Sequence, residues 1–375
     1  MKLINDFFIG NIEDLNINWE FVNSIPEFNI LNNTEQNAIW HKEGNVMKHT
    51  KLVCDAMKNF LSTESFDIHK NVYLMLSALF HDIGKGPTTK IGDDGLYHSK
   101  NHASVGEKIT RKVLWDIDFE TREKICSLVA AHMQPLYVMD KENPIRNVIE
   151  LSMKCTISDL WLLKSADCIG AINDDITWHD TLSLFKEIAN KLNCFNNPYH
   201  FYNDNCKFKF FTSLNLEMPP VYDYEKYDLK VIFMCGLPGA GKDTYIKNNL
   251  PNIPVICRDD IRKEIGLKGE KPMGNKKEES KVTEIVNERI KNYCRNKTNF
   301  IINATNIRKI HRDQLINLIL PYNPYIEIIY IESPSINDNL LRRKGQISDK
   351  VILEMQKNFD FPKEIECHKL TLVKQ

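Results

Sequence analysis

A short apolar run that passes directly into a glycine-rich turn restricts the fold of this chain more than any other feature. Residues 230–235 read KVIFMC, and the next nine read GLPGAGKDT. A strand, this glycine spacing and a lysine at a helix start predict a phosphate-binding loop, because glycines let backbone N–H groups close around a phosphate. The helix N-terminus adds partial positive charge, and the lysine would reach the β- and γ-phosphates. The residues expected to bind ATP, or another nucleoside triphosphate, together with Mg²⁺ are Gly236, Gly239, Gly241, Lys242, Asp243 and Thr244.

The residue after the lysine departs from the usual pattern. A serine or threonine normally stands there and places its hydroxyl on Mg²⁺. This chain has Asp243, followed by Thr244. Either side chain could supply an oxygen to the ion, and the sequence leaves both open.

The two halves of the chain have different periodicity. Apolar runs at 254–257, 299–304 and 325–332 alternate with helical segments, which predicts an α/β domain with a parallel sheet. From about residue 34 to 200, apolar residues instead recur at three- and four-residue spacing, which predicts an all-helical domain. The expected organisation is a helical domain at 1–202, a linker against the surface at 203–227 and an α/β domain at 228–375.

Composition limits the class of protein. The formal net charge is −1, so nucleic acid would have to bind through local basic patches. The 10 cysteines include no CxxC pair, a pattern typical of free thiols in a reducing compartment. No apolar run reaches the roughly 18 residues that span a membrane, and the first residues lack the form of a signal peptide. We therefore expect a cytoplasmic protein.

Six histidines and aspartates lie where helical spacing would place them on buried faces. His49, for example, follows Val46 by three residues and precedes Val53 by four. For any one of them a satisfied core residue is the simpler interpretation, but interior histidine and aspartate are rare unless paired or bound to metal. Together they predict a divalent Mn, Fe, Co, Ni or Zn ion that activates water for phosphate ester hydrolysis. The six residues are His49, His81, Asp82, His102, His132 and Asp167.

The order of these six residues resembles that of the HD-domain metal-dependent phosphohydrolases. His102 and His132 match the additional histidines of members that bind two metals. The segment HKEGNVMKHT is similar to the leading helix of HD domains attached to RNA-end and tRNA enzymes. Within it, His41 and Glu43 are either groups near the metal or substrate, or polar residues at a helix start. Lys85, in HDIGKGPTT, could hold a substrate phosphate.

Acidic residues follow the second predicted strand, at the edge of the sheet where ligands bind. Asp259 and Asp260 come directly after this strand, and Arg262 comes three residues after Asp259. A carboxylate here could take the proton of an acceptor hydroxyl, and the arginine could hold a phosphate of the acceptor. From spacing alone, the acidic first turn of an ordinary helix is an equally good interpretation.

Two further segments carry groups suited to nucleotide chemistry. The segment NLLRRKGQIS has the form of a lid in which Arg342 and Arg343 cross the triphosphate; the alternative is a solvated helix face. The third strand ends in residues that could contact metal, nucleotide or acceptor, namely Asn303, Thr305, Asn306, Arg308 and Arg312.

The segments GLPGAGK, RDDIR, NATN and the arginine-bearing lid resemble, in this order, the polynucleotide 5′-hydroxyl kinases of the P-loop class over nearly all of 228–362. The resemblance implies that Asp259 is the general base and that Arg262 binds the phosphate beside the acceptor hydroxyl. It also implies that a lid arginine grips ATP. Similar kinases often carry an aspartate where Asn303 stands, so the chain departs from them at this position.

The two halves together resemble the bacterial HD-domain–polynucleotide kinase fusions that heal broken RNA ends, and the resemblance covers essentially the whole chain. It implies that the kinase half phosphorylates a 5′-hydroxyl. It implies that the HD half removes a 2′- or 3′-phosphate, with a 2′,3′-cyclic phosphate as a further candidate. The expected partners are RNA or DNA ends and a separate ATP-dependent ligase, with no membrane.

Two alternatives and one surface segment remain open. The chain could be a nucleoside kinase joined to a nucleotide phosphohydrolase, or a regulator whose nucleotide site switches the HD half. The segment LKGEKPMGNKK is either a basic flap over nucleic acid or a solvated loop, and its lysines are Lys268, Lys271, Lys276 and Lys277.

Overall fold

The computed structural model describes residues 2–213, 216–223, 226–267 and 276–374. The chain divides into two compact units, Met1–His200 and Phe201–Gln375. The first unit is helical and the second contains a five-stranded parallel sheet. The predicted fold class is therefore confirmed.

The first unit is a helical domain with one small hairpin. Its helices are α1 (Lys2–Asp6), α2 (Trp19–Ser24), α3 (Pro26–Asn29), α4 (Val46–Thr63), α5 (Ile68–Phe80), α6 (Lys85–Thr88), α7 (His102–Val113), α8 (Phe119–Ala131), α9 (Gln134–Tyr137), α10 (Pro144–Ser152), α11 (Ile157–Gly170) and α12 (Trp178–Lys191). The antiparallel hairpin consists of β1 (Thr89–Ile91) and β2 (Tyr97–Ser99).

Helix α5 is the central helix of this unit. Asp67 caps its N-terminus by accepting a hydrogen bond from the backbone N–H of Lys70 at 2.9 Å, as short polar residues do at this position. Every side chain from Val72 to Phe80 is buried, so α5 is covered on all sides. A helix of this kind ends inside the core. The two residues that follow it, His81 and Asp82, are therefore buried as well.

In the second unit, helices alternate along the chain with the strands of the parallel sheet. Its helices are α13 (Asp204–Thr212), α14 (Lys242–Asn249), α15 (Arg258–Glu264), α16 (Lys276–Arg295), α17 (Lys309–Ile319), α18 (Ile336–Arg342) and α19 (Asp349–Lys357). Its strands are β3 (Leu229–Cys235), β4 (Val255–Cys257), β5 (Phe300–Asn303), β6 (Pro324–Glu332) and β7 (Lys369–Lys374). The strand order is β4-β5-β3-β6-β7, so the strand before the glycine-rich loop is central.

The structure differs from the expected linker at 203–227. Its first part is helix α13, which Asn203 caps by accepting from the backbone N–H of Cys206 at 2.8 Å. Phe208 is buried, and its ring lies 4.1 Å from that of His368. Phe208 and Phe210 of α13 are therefore buried in the second unit, whereas Tyr222, farther along the stretch, is exposed.

The basic flap lies mostly outside the described residues. Lys268 and Lys271 fall between 267 and 276 and are not described. Helix α16 begins at Lys276 and includes Lys277, whose side chain is exposed. The expectation of a nucleic-acid flap stays a prediction.

Candidate active sites: a buried histidine–aspartate cluster and a phosphate-binding loop

All six predicted metal ligands converge in the first unit. They come from α4 (His49), the end of α5 (His81 and Asp82), the start of α7 (His102), the end of α8 (His132) and α11 (Asp167). Their donor atoms include two groups within which all atoms lie no more than 4.8 Å apart, one of His49, His81 and Asp82 and the other of Asp82, His102 and His132. Asp167 Oδ1 lies 3.0 Å from His49 Nε2. Their role as ligands stays a prediction, but their convergence is a property of the fold.

Backbone carbonyls fix the tautomers of three of these histidines. In His81, His102 and His132, Nδ1 lies 2.7, 2.8 and 2.8 Å from the carbonyl oxygen three residues earlier. A carbonyl only accepts, so Nδ1 carries the proton and the Nε2 lone pair faces the cluster. This arrangement leaves the coordinating nitrogen of each ring available.

The spacing of His102 and His132 requires a positive charge nearby. Their Nε2 atoms lie 3.1 Å apart, so two lone pairs face each other. Burial lowers the pKa of both rings, that of His102 to about 4, which favours the neutral form of each. A divalent cation beside both nitrogens removes the repulsion, which means that these residues fit a metal.

Asp82 joins the two groups. Its Oδ2 lies 3.2 Å from His81 Nε2, and its Oδ1 lies 3.4 Å from His102 Nε2. Burial alone would raise the pKa of this carboxyl, but Lys85 and His81 outweigh burial and hold the pKa well below its usual range. An ionised carboxylate with one oxygen toward each group fits a pair of divalent cations.

Two lysines neutralise the carboxylates of the cluster. Lys85 Nζ lies 2.7 Å from Asp82 Oδ2, and Lys164 Nζ lies 2.6 Å from Asp167 Oδ2. Lys164 is buried at 4% exposure, and sequence analysis did not identify it. The available signal was a lysine within the apolar segment LWLLKSAD, three residues before the aspartate on the same helix.

Glu43 orients the first histidine of the cluster. Its Oε1 lies 2.8 Å from His41 Nδ1 and 2.9 Å from His49 Nδ1, and its Oε2 accepts the backbone N–H of Ile172 at 2.9 Å. Burial lowers the pKa of His49, but hydrogen bonds to Asp167 and Glu43 outweigh burial and raise the pKa to about 9. Of the two interpretations left open by the sequence, the structure places His41 and Glu43 beside the metal ligands.

The cluster opens into a cavity of about 590 Å³ in the first unit. Asp82, His102 and Asp167 line it, together with Lys85 and Lys164. Potential ligands and positive charge therefore face a space that can admit a small molecule or a chain end.

The glycine-rich loop has the conformation that its sequence predicts. Gly236, Gly239 and Gly241 have φ values of +149°, +79° and +95°, a region that favours glycine. At Gly236 a Cβ would also lie 2.4 Å from the carbonyl oxygen of Ile331. Lys242 Nζ donates to two carbonyl oxygens of the loop, each at 2.9 Å. The loop is thus folded around the ammonium that is expected to meet the phosphates.

Asp243 and Asn303 lie together at the end of the central strands. Asn303 ends β5 and pairs in register with Met234 of β3, which precedes the loop. Its Nδ2 donates to Asp243 Oδ1 at 2.7 Å. Asp243 and Thr244 are both exposed in the first turn of α14.

The predicted base and acceptor arginine form an ion pair. Arg262 donates to the carboxylate of Asp259 and also to both oxygens of Glu279, at 2.8 and 3.0 Å. Glu279 lies in the first turns of α16, and sequence analysis did not identify it. Arg262 is 6% exposed and Asp259 is only partly buried, so Glu279 holds a buried guanidinium beside an accessible carboxylate.

The predicted lid rests on the glycine-rich loop. Arg342 Nη1 donates to Gly239 O at 3.1 Å. The buried Asn339, which sequence analysis did not identify, donates to Pro238 O at 2.9 Å. The stem of Arg343 lies beside Gly239, with its Cγ 3.3 Å from the position of a Cβ built there. Both lid arginines are therefore beside the phosphate-binding loop.

Two residues after the third strand are structural, not site residues. Arg312 is fully buried and donates to Glu366 at 2.7 and 3.0 Å. Asn306 is buried and donates to Met234 O at 2.7 Å. They hold the end of β5 and the helix after it, because buried polar groups need such partners.

The fold and the two sites define a chain with a helical metal-dependent phosphohydrolase domain and a P-loop kinase-type domain. The family model described as "HD domain" matches residues 45–171, and the one described as "AAA domain" matches residues 231–362. The chain therefore contains an HD domain followed by a P-loop kinase-type domain, and together they indicate an enzyme with phosphohydrolase and kinase activity. The HD domain implies a divalent metal, and the kinase domain implies ATP and Mg²⁺.

One solved structure is similar to part of the chain. It is a "putative kinase from chloroflexus aurantiacus j-10-fl", which shares 16% sequence identity with a TM-score of 0.33. The match covers 40% of this chain and 86% of that chain. Among the described residues, no helix is long and apolar enough to cross a membrane.

Proposed function

We propose that this protein prepares broken nucleic-acid ends, RNA ends in particular, for joining. The kinase domain transfers the γ-phosphate of ATP to a 5′-hydroxyl, and the HD domain removes a 2′- or 3′-phosphate from the other end. The observation that carries this proposal is the Asp259–Arg262 pair, which follows β4 of the sheet that also carries the glycine-rich loop. A carboxylate beside a phosphate-binding arginine suits an acceptor that offers a hydroxyl next to a phosphate, as a polynucleotide end does.

The sheet supports a common site for nucleotide and acceptor. Cys257 of β4 pairs with Asn303 of β5, which pairs with Met234 of β3. The segments that follow β3 and β4, with the glycine-rich loop and Asp259, therefore leave the same edge of the sheet. In parallel sheets this edge is where ligands bind.

In the kinase reaction Asp259 takes the proton of the 5′-hydroxyl as its oxygen attacks the γ-phosphorus. The bond from that phosphorus to the β,γ-bridging oxygen breaks, and ADP leaves. Lys242 and the lid arginine Arg342 stabilise the charge on the transferring phosphoryl group. Mg²⁺, when bound, would supply further positive charge at the phosphates, and Asp243 with Asn303 would hold it.

In the HD reaction the chain positions an end phosphate over the histidine–aspartate cluster. Lys85 and Lys164 line the cavity, and their ammonium groups would receive the phosphate oxygens. Water attacks the phosphorus, the bond to the ribose oxygen breaks, and this oxygen takes up a proton. Divalent ions, when bound by the six residues, lower the pKa of water and neutralise phosphate charge.

The test uses one RNA that carries both ends, a 5′-hydroxyl and a 2′-phosphate. Purified protein is incubated with it, ATP, Mg²⁺ and each transition metal in turn, and both ends are followed by mass. Asp259→Asn should lose 5′-phosphorylation and keep dephosphorylation. Asp82→Asn should show the reverse, and Asp260→Asn, at the neighbouring exposed carboxylate, should keep both.

Either of two outcomes would reject the proposal. In one, the RNA is untouched while free nucleosides and nucleotides turn over, and the protein then belongs to nucleotide metabolism. In the other, Asp259→Asn and Asp82→Asn each leave both reactions intact, and neither site has been assigned correctly.

A further inference from the structure

The cavity of the HD domain combines a charged floor with an aromatic rim. Asp82 and Asp167 on the floor are 2% and 6% exposed. Two of the rings that line the same cavity, Trp40 and Tyr137, are 51% and 49% exposed. Tyr97 and Trp178 also line the cavity. Two lysines also line the floor, Lys85 and Lys164. A rim of flat apolar rings above a floor with these ammonium groups and the predicted metal ligands is complementary to a molecule with an aromatic ring at one end and an anion at the other.

Trp40 leaves half of a large apolar side chain in contact with solvent. An indole is among the largest apolar groups, and each Å² of apolar surface left in water forgoes about 25 cal/mol. Trp40 nevertheless lines a cavity instead of filling the core. Trp178 stacks on the ring of His179, with 3.5 Å between ring centroids and 25° between planes. Stacked and half-exposed rings at a cavity are the form that base-binding sites take.

Hydrogen bonds tie the two tryptophan-bearing loops together. Trp40 lies in the loop before α4, and Trp178 follows the loop that leaves α11. The Asn173 side chain donates to Trp40 O at 3.0 Å, and the backbone N–H of Lys42 donates to Ile172 O at 2.8 Å. These loops are also bound to Glu43, which contacts the metal-ligand histidine. The rim is therefore built in fixed relation to the cluster.

We propose that this cavity is a nucleoside subsite. One terminal nucleoside of a single-stranded end packs its base against Trp40 and Trp178, while its 2′- or 3′-phosphate meets Lys85 and Lys164 over the metal ligands. This inference rests on the proposed phosphohydrolase function and names the part of the substrate that this site recognises. Every base presents a π-face, so the subsite accepts all four bases, and a terminal base held in a duplex is excluded from it.

The test compares two RNA substrates that differ only in the terminal base. One ends in an ordinary 3′-phosphorylated nucleotide, and the other ends in a 3′-phosphorylated abasic ribose. The wild-type protein should show a KM about 5- to 100-fold lower for the substrate with the base, the range expected for one stacked base. Trp40→Ala and Trp178→Ala should raise this KM toward the abasic value with little change in kcat. Trp40→Phe should keep most of the preference, and Tyr202→Ala, an exposed ring outside the cavity, should change nothing.

A binding measurement separates this inference from the proposed function. Nucleoside 3′-monophosphate should quench the tryptophan fluorescence of the wild-type protein at concentrations where ribose 5-phosphate does not. If neither RNA is hydrolysed with any metal but the nucleotide binds, the phosphohydrolase function is wrong and the subsite stands. If both RNAs are hydrolysed with equal KM, or if Trp40→Ala and Trp178→Ala raise both KM values equally, the subsite is overturned and the hydrolase function stands.

Discussion

At the scale of single residues, the predicted nucleotide site differs from the usual P-loop pattern at two positions, which carry a carboxylate and a neutral polar group in the opposite order. P-loop enzymes usually place a hydroxyl after the loop lysine and an aspartate at the end of a neighbouring strand. Here the aspartate, Asp243, follows the lysine, and the neutral residue, Asn303, ends the strand; they are hydrogen-bonded at 2.7 Å. We propose that the site keeps one carboxylate for Mg²⁺, and that the loop residue Asp243 supplies it in place of the strand residue.

If the carboxylate can serve Mg²⁺ from either position, then moving it from residue 243 to residue 303 should preserve Mg²⁺-dependent nucleotide binding. We expect Asp243→Ser to lower the affinity for ATP at least about tenfold in the presence of Mg²⁺, because one charged ligand is lost. In EDTA the same variant should bind ATP as the wild type does. The double variant Asp243→Ser/Asn303→Asp should recover most of the loss. Calorimetric titrations with and without Mg²⁺ measure these affinities, and a double variant no better than the single one would contradict the exchange.

Lys164 offers a stability prediction that depends on metal. Its ammonium is the buried partner of Asp167, and removing one member of a buried ion pair costs about 3–5 kcal/mol. Lys164→Met should therefore lower the free energy of unfolding by that order in EDTA. A divalent metal at Asp167 should restore part of the loss. Lys154→Met, which breaks a more exposed pair with Glu150, should cost at most about 1 kcal/mol with or without metal. Urea unfolding followed in both media would show whether the metal effect is confined to Lys164→Met.

Lys242 gives nucleotide binding a pH dependence. Burial of its ammonium in the glycine-rich loop lowers its pKa to about 8, and phosphates that bind beside it would raise the pKa again. A pKa that is higher in the complex means that affinity is full below the pKa of the free protein and falls as pH rises above about 8. Titrations of ATP between pH 7 and 9.5 should show this fall in affinity. The Lys242→Ala variant should bind ATP weakly, and its affinity should not fall over this pH range.

At the scale of elements, close backbone packing positions two of the predicted metal ligands, Asp82 and His102. Gly84 follows the His81-Asp82 dipeptide, and a Cβ there would lie 2.0 Å from the carbonyl oxygen of His102 and 2.6 Å from the backbone nitrogen of Gly106. Helix α7 can bring His102 to Asp82 only because this turn has no side chain. The metal site therefore depends on a residue that binds no metal.

A methyl group at this turn should separate α7 from the end of α5. We expect Gly84→Ala to destabilise the protein by about 1–3 kcal/mol through overpacking and to weaken metal binding by the His102 group. Gly95→Ala is the matched control, because its Cβ would meet no atom within 4 Å and only its left-handed backbone, at φ +75°, is strained. Metal titration and thermal unfolding of both variants test this. Equal metal affinities in the two variants would show that the close contact is not what positions His102.

The same scale explains what could be predicted from sequence. Helical periodicity indicated that the six histidines and aspartates would face one core. Buried histidine and aspartate side chains are rare unless they are paired or bind a metal, so a shared site was the expected explanation. Glu279 and Asn339 were missed because their partners, Arg262 and Pro238, lie far away in sequence. Lys164 was missed although its partner Asp167 is only three residues away, because a lysine on an apolar helix can also extend its ammonium to the surface. Helix α13 was missed because aromatic residues beside Pro219-Pro220 resemble a linker, while its core contacts come from residues near 368. Arg312 and Asn306 were placed among site candidates because sequence alone does not distinguish a buried structural pair from a binding group.

At the scale of the whole molecule, the two predicted ligands belong to two different units. The predicted metal ligands all lie within Met1–His200, and the predicted nucleotide-binding residues all lie within Phe201–Gln375. A ligand that binds only the folded form of one unit stabilises that unit by about 2.7 kcal/mol at a hundred times its dissociation constant. A chain with two such units has two linked unfolding steps, each responding to its own ligand.

Calorimetry should therefore show two transitions that shift independently. Manganese should raise the transition of the HD unit and leave the other within about 1 °C, while ATP with Mg²⁺ should do the reverse. Lys242→Ala should lose only the nucleotide shift, and Asp82→Asn only the manganese shift.

Hydrolysis of an RNA 2′-phosphate by Lys242→Ala should match the wild type. If ATP instead shifts both transitions and Lys242→Ala loses hydrolysis, the nucleotide site controls the HD site, and the protein is a nucleotide-gated hydrolase, not a pair of separate end-processing activities.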